Sequence, residues 1–252
     1  MMSGHDTGAS DPDAAGVRSS THTPQVKVVL LAHELLGGLV ALVLRHVDAE
    51  CRPASSEAEV KGLASWSPDI LIADLDKYER APEWTRVDGH AIPCLGLTRR
   101  RDTMAKLEAF ERGATDLIEI PFTPDEIVVR TVAALMRVAA RKIAIRSRLP
   151  VGRFEMDVEG PGVRLNENLV KLTLLEQTLL YLFLAHPGQT LTREDILTNI
   201  WGSQSAVTSN VIDRHIRDLR VKLQEKWQEP RFIATEAGKG YRFLGEGGPP
   251  QV

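Results

Sequence analysis

The chain has 252 residues, 43% hydrophobic and 26% charged, with a formal net charge of −3. That length suits two ordinary domains, and the mildly acidic balance excludes a uniformly basic nucleic-acid coat, so any contact with a polyanion must come from local clusters of Arg and Lys. Cys51 and Cys94 lack metal-ligand spacing and no apolar run approaches a membrane span, which points to a reduced, cytoplasmic compartment with no metal or cofactor.

Residues 1–25 are rich in Ser, Thr, Asp and Gly without an apolar core, so they read as a disordered leader rather than a secretion signal. From Val26 short apolar runs alternate with amphipathic ones. Val26–Leu31, Ile70–Asp74, Cys94–Thr98 and Asp116–Ile120 are predicted strands, with a weaker one near Glu50–Pro53. Leu35–Val47, Asp102–Arg112 (stopped by Gly113) and Pro124–Arg141 carry helical periodicity. Such alternation predicts a parallel sheet covered on both faces, with functional groups at the carboxyl ends of its strands.

The basic stretch 141–150, closed by Pro150, predicts a linker over 142–150, and a new pattern begins at Val151. Phe154–Val158 and Val163–Leu165 alternate as strands, and Asn166–Asn168 reads as a turn before Leu169–Leu172. Thr173 with Glu176 is a capping-box signature opening a leucine-rich helix that ends at His186. Thr192 and Asp195 open a second helix, with Ile196, Leu197, Ile200 and Trp201 inward and Gly202 ending it. Thr208–Leu223 forms a third, with Ile212, Ile216, Leu219 and Leu223 on one face and Asn210, Arg214, Arg217 and Val221 on the other. Phe232–Thr235 and Tyr241–Leu244 flank a glycine-bearing hairpin, and residues 246–252 form a loose tail.

The segments PDILIADLD, IPCLGLT and GATDLIEIPF resemble the receiver domain of bacterial response regulators over residues 26–141. The resemblance implies that Asp74 stands at the phosphoacceptor position and Thr98 at the switch hydroxyl. It also implies a degenerate pocket. Ala32 and His33 replace the acid pair that holds Mg²⁺, Ile120 replaces the lysine that pairs with the acyl phosphate, and Leu117 replaces the aromatic switch residue. Phosphoryl transfer depends on positioned charge, so Asp74 reads as a vestigial phosphoacceptor. Lys106, Glu111, Asp116, Glu126, Arg130 and Arg137 match the charged dimer face of OmpR/PhoB-type regulators, which implies a homodimer built through this domain.

LTLLEQTLLYLFLAHPGQTLTREDILTNIWG, NVIDRHIRDLR and GKGYRF resemble the OmpR/PhoB effector domain over residues 151–245. The implied architecture is a doubly wound, flavodoxin-like α/β domain followed by a winged helix-turn-helix (α+β) domain. Trp201, His215, Arg217, Arg220, Thr235 and Tyr241 match the family's phosphate-contact positions, and Asn210, Arg214 and Lys239 complete the expected DNA-binding set. Asp218 stands where the family keeps an arginine; it could accept from cytosine N4 or orient Arg214, the second being favoured, and Ala237 replaces a wing arginine, leaving Lys239 and Arg242 nearby.

The favoured reading is a dimeric, phosphorylation-independent, sequence-specific DNA-binding transcription regulator and not an enzyme. Double-stranded DNA is the expected partner. Contact with RNA polymerase and a small-molecule or protein input stay open. Alternatives are a conventional regulator phosphorylated at Asp74 and an adaptor whose winged helix binds protein instead of DNA.

Overall fold

Val26–Leu31 forms β1 with alternate faces: Val26, Val28 and Leu30 pack into one core cluster, Val29 and Leu31 into another. A strand buried on both faces needs a helix on each, and the chain supplies them in turn. The computed structural model describes residues 25–78, 86–87, 90–139, 142–160, 162–203 and 205–245. The expected leader, apart from Gln25, and the expected tail lie outside these residues.

After β1 come α1 (Glu34–Leu44), β2 (Ala49–Ala54), α2 (Glu57–Gly62) and β3 (Ile70–Asp74). A short hairpin, β4 (Arg86–Val87) and β5 (His90–Ala91), precedes β6 (Cys94–Thr98), α3 (Thr103–Glu111), β7 (Asp116–Glu119) and α4 (Pro124–Ala139). The strands form a parallel sheet in the order β2-β1-β3-β6-β7, a doubly wound topology. Asp102 caps α3, accepting from the Ala105 amide at 2.8 Å, and Gly113 follows its end at a φ of +100°. The strands and long helices fall where the sequence pattern puts them. The six-residue α2 and the hairpin are additions, too short for a clear periodicity.

The second unit starts earlier than Val151, because Arg148–Val151 is itself a strand, β8. It pairs with β9 (Phe154–Asp157), β10 (Gly162–Leu165) and β11 (Asn168–Lys171) in an antiparallel sheet ordered β11-β10-β9-β8. Residues 142–147 alone remain as connection. Pro150 is compatible with β8 because β8 is an edge strand, where a missing N–H costs little. Asn166 and Glu167 both adopt positive φ, the conformation a two-residue hairpin turn needs.

Next come α5 (Leu174–Ala185), β12 (Thr190–Thr192), α6 (Arg193–Trp201) and α7 (Ser209–Lys222), then β13 (Ile233–Glu236) and β14 (Gly240–Phe243). The expected capping box of Thr173 with Glu176 is present, and Thr192 with Asp195 forms a second one. β13 and β14 form the wing, and β12 pairs with β14 along its other edge. Three helices with a terminal hairpin make a winged helix-turn-helix.

α1 and α5 hold the two units together. Neither has a polar face: α1 reads ELLGGLVALVL and α5 reads LLEQTLLYLFLA, and a helix apolar all round has to be covered on more than one side. Each covers its own domain's core and then the other helix, so one hydrophobic cluster runs through both units. Gly38 permits the approach, since a Cβ there would lie 2.5 Å from the His186 ring. The His186 Nε2 in turn meets the Leu35 carbonyl at 3.0 Å. Among the described residues no helix is long and apolar enough to cross a membrane.

Candidate functional site

α7 has the strongest division between an apolar and a polar face. Ile212, Ile216, Leu219 and Leu223 are buried against α5 and α6. Asn210, Arg214 and Arg217 point outward, and the Arg217 side chain is 72% exposed. The packing of the two domains leaves this face open. Lys239 is exposed on the wing, whereas Arg242 is tied to Glu236 at 2.7 Å. Asn210, Arg214, Arg217 and Lys239 are thus available to a polyanion. His215 is half-buried; burial, with the neighbouring Arg214 charge, lowers its pKa and favours the neutral ring.

Four residues of the expected contact set have partners within the chain. Arg220 is buried, with Nη2 donating to the Ile233 carbonyl at 2.6 Å and to Thr235 Oγ1 at 2.9 Å. Its Nε lies 3.5 Å from Glu225, whose carboxylate also accepts from the amides of Phe232 and Ile233. Burial raises the Glu225 pKa, against the lowering effect of those amides and of Arg220. Thr235 is exposed but carries the Arg220 bond. Tyr241 is 4% exposed, and its hydroxyl donates to Asp213 at 2.6 Å. Burial and the Asp213 charge push its pKa up to about 12. Arg193 completes this cluster, 2.7 Å from Asp213 and stacked over the Tyr241 ring. Trp201 is half-buried against the core. Helical spacing put Arg220 at the edge of the apolar stripe, and the wing strand beside it decided which way it turned.

Asp218 also differs from its expected role. It pairs with its neighbour Arg217 at 3.4 Å rather than with Arg214, which makes no ion pair among the described residues.

In the receiver-like domain, Asp74 ends β3 and is 3% exposed. Its carboxylate is occupied by a residue the sequence reading did not single out. Arg99 reaches Oδ1 with Nη1 at 3.0 Å and Oδ2 with Nη2 at 3.2 Å. Nη1 also meets Asp76 at 3.1 Å, and the Arg99 amide donates to Asp76 at 2.6 Å. Nε and Nη2 then cross the domain junction to the Asn199 carbonyl in α6, at 3.1 and 2.7 Å. Arg99 follows the strand end directly, a position whose side chain can turn back over the carboxylate; that was the available signal.

The other pocket positions are equally settled. His33 caps α1, its Nδ1 accepting from the Leu35 amide at 3.3 Å. Thr98 donates to Asp76 at 2.8 Å, Ala32 offers no donor atom, and Ile120 is buried. This set does not fit Mg²⁺. The ion needs several oxygen ligands, and here both Asp74 oxygens face a guanidinium while Ala32 and His33 supply no carboxylate. Among the described residues no group of three or more His, Cys, Asp and Glu could hold a metal.

On the face made by α3, β7 and α4, four of the six expected charges lie together and pair within the chain. Asp116 accepts from Arg130 at 2.9 Å and lies 3.8 Å from Arg137, and Arg130 also meets Glu126 at 3.1 Å. Lys106 pairs with Glu119, and Glu111 is exposed. Met104, Leu107 and Phe110 on α3 and Val129 and Met136 on α4 are exposed apolar side chains.

The chain is similar in sequence to known regulators. The family described as "Transcriptional regulatory protein, C terminal" matches residues 166–243. A probable transcriptional regulator ycf27 of Porphyridium aerugineum is 33% identical over 183 residues, covering 69% of this chain and 75% of the relative. The phosphate regulon transcriptional regulatory protein PhoB of Escherichia coli is 32% identical over 152 residues, covering 60% and 65%. Among solved structures, the response regulator DrrB of Thermotoga maritima, an OmpR/PhoB homolog, matches 87% of this chain and 99% of its own at 20% identity, with a TM-score of 0.36. The chain belongs to the OmpR/PhoB family of response regulators and is a transcriptional regulator with that family's DNA-binding domain.

Proposed function

We propose that the chain is a sequence-specific DNA-binding regulator that acts as a homodimer and needs no phosphorylation at Asp74. The open outer face of α7 carries the DNA reading: Asn210, Arg214 and Arg217 remain outward while the two domains are packed together. No domain separation is needed before a major groove can receive them. Arg99 supports independence from phosphorylation, because a fixed cation already neutralises Asp74 and ties it to α6. The dimer reading rests on the α3–β7–α4 face, where exposed apolar side chains sit among charges of both signs.

Genome-wide mapping of bound DNA, with the wild-type chain and with Asp74→Ala, tests the reading as a whole. The expected result is discrete sites with equal occupancy in both. A mass increase or a shift in dimer population on treatment with acetyl phosphate or beryllofluoride and Mg²⁺ would favour a conventional phosphorylated regulator. Absence of discrete bound sites would favour a protein-binding adaptor.

A further inference from the structure

The carboxyl ends of β1 and β2 border an open cavity of about 440 Å³ beside α1, within the size range of small-molecule sites. Its wall is apolar, with Leu30, Ala41, Cys51 and Pro53 among its lining, and His186 enters that lining from the DNA-binding domain. Domain junctions are preferred pocket positions.

α1 supplies a second, independent sign. It carries Gly37 and Gly38 in its interior, each about 1 kcal/mol less favourable there than alanine. Gly38 is accounted for by the His186 ring. Gly37 is not: it is buried, yet a Cβ on it would meet nothing within 4 Å. The helix is pared back at a place that no other described residue fills.

Charge narrows the occupant. Glu34 and Glu59 stand among the lining residues, and among the described residues no Lys or Arg does. Glu59 is held in place by the Ser55 amide and hydroxyl, both at 2.8 Å. We propose that this cavity binds a small organic cation, its apolar body along Gly37, Ala41 and Cys51 and its amine toward Glu34 and Glu59. Such a ligand touches both domains, since α1 and His186 belong to different ones. The site is independent of the DNA-binding reading, and either can fail without the other.

Titration of the full chain with phenethylamine, phenethyl alcohol and phenylacetate, followed by the amide resonances of Gly37, Gly38 and Ala41, tests this. The amine is expected to give saturable shifts at a concentration about ten-fold lower than phenylacetate, the sign two nearby carboxylates impose. Gly37→Leu should remove the shifts by filling the space. Glu34→Gln with Glu59→Gln, both at exposed positions, should bring the amine to the level of the alcohol. No saturable shift with the amine, equal binding of all three probes, or full amine binding in the double glutamine variant each overturns the proposal.

Discussion

Arg99 lies across Asp74 with a nitrogen on each carboxylate oxygen, at 3.0 and 3.2 Å, and the same guanidinium caps a carbonyl of α6 in the other domain. Both side chains are nearly enclosed, 10% and 4% exposed. Removing one partner of a buried pair leaves the other charged and dry. Arg99→Ala is therefore expected to lower unfolding free energy by about 3–5 kcal/mol, read by urea denaturation. Asp74→Ala added to it should restore a large part of that loss. Additive losses from the two single changes would mean that the pair is not coupled.

Arg217 and Arg220 are three residues apart on α7 yet should behave oppositely. Arg217→Ala is expected to leave stability within about 0.5 kcal/mol and to weaken DNA binding, lowering the salt dependence by about one counterion. Arg220→Ala leaves Glu225 buried without its cation and frees the Ile233 carbonyl, so about 3 kcal/mol of stability should go first. Thermal melts beside fluorescence anisotropy over a salt series separate the two. A stable Arg220→Ala protein with lost DNA affinity would return that residue to the contact surface.

Tyr241→Phe removes only a hydroxyl, but that hydroxyl joins the wing to Asp213 on α7 and Arg193 on α6. The loss should be about 1–2 kcal/mol, the range for a hydrogen bond to a charged group. Hydrogen exchange should quicken in β14 and the first turns of α7. An unchanged melting temperature would show the Tyr241 ring alone is sufficient.

The sheet and the winged helix were legible because each is set by periodicity and local chemistry. Buried runs such as Ile70–Asp74, the two capping boxes and the stripe Ile212–Leu223 are written in neighbouring residues. What was not legible depends on residues distant in the chain. Arg99 meets Asp74 and Asn199, 25 and 100 positions away, and no local spacing signals a side chain that bridges two domains. Arg220 and Tyr241 have the residue types of phosphate contacts, and their direction was decided by β13 and by Asp213. Arg148–Pro150 is basic and ends in proline, so it read as linker, but an edge strand tolerates both.

The exposed apolar side chains of α3 give the dimer reading its own test. Leu107 and Phe110 are 50% and 45% exposed in the single chain, and a stable interface buries about 800 Å² on each side. Sedimentation equilibrium should find a wild-type dimer, and Leu107→Glu with Phe110→Glu should shift it to monomer without lowering the melting temperature. Because Asp116 is already paired with Arg130 in its own chain, Asp116→Ala is expected to weaken the dimer less than this pair does. A wild-type protein that stays monomeric would remove the two-fold arrangement.

His46 gives a prediction about pH. It is fully buried beside the connection between domains, with Nδ1 2.6 Å from the Arg146 carbonyl and no partner for Nε2 among the described residues. Burial lowers its pKa below the ordinary 6.5, against the raising effect of the Arg146 bond and Asp157 and with some help from Arg45. Below pH 6.5 the unfolded chain takes up a proton that the folded chain excludes, so stability falls as pH drops from there toward the folded pKa. The slope from one such group cannot exceed about 1.4 kcal/mol per pH unit. His215, also lowered, acts in the same direction from α7, so the informative quantity is a difference between proteins. His46→Gln should flatten the stability profile between pH 5 and 6.5 relative to wild type, measured by urea unfolding at each pH. A variant with the wild-type slope would mean that His46 takes up its proton as readily in the folded chain as in the unfolded one.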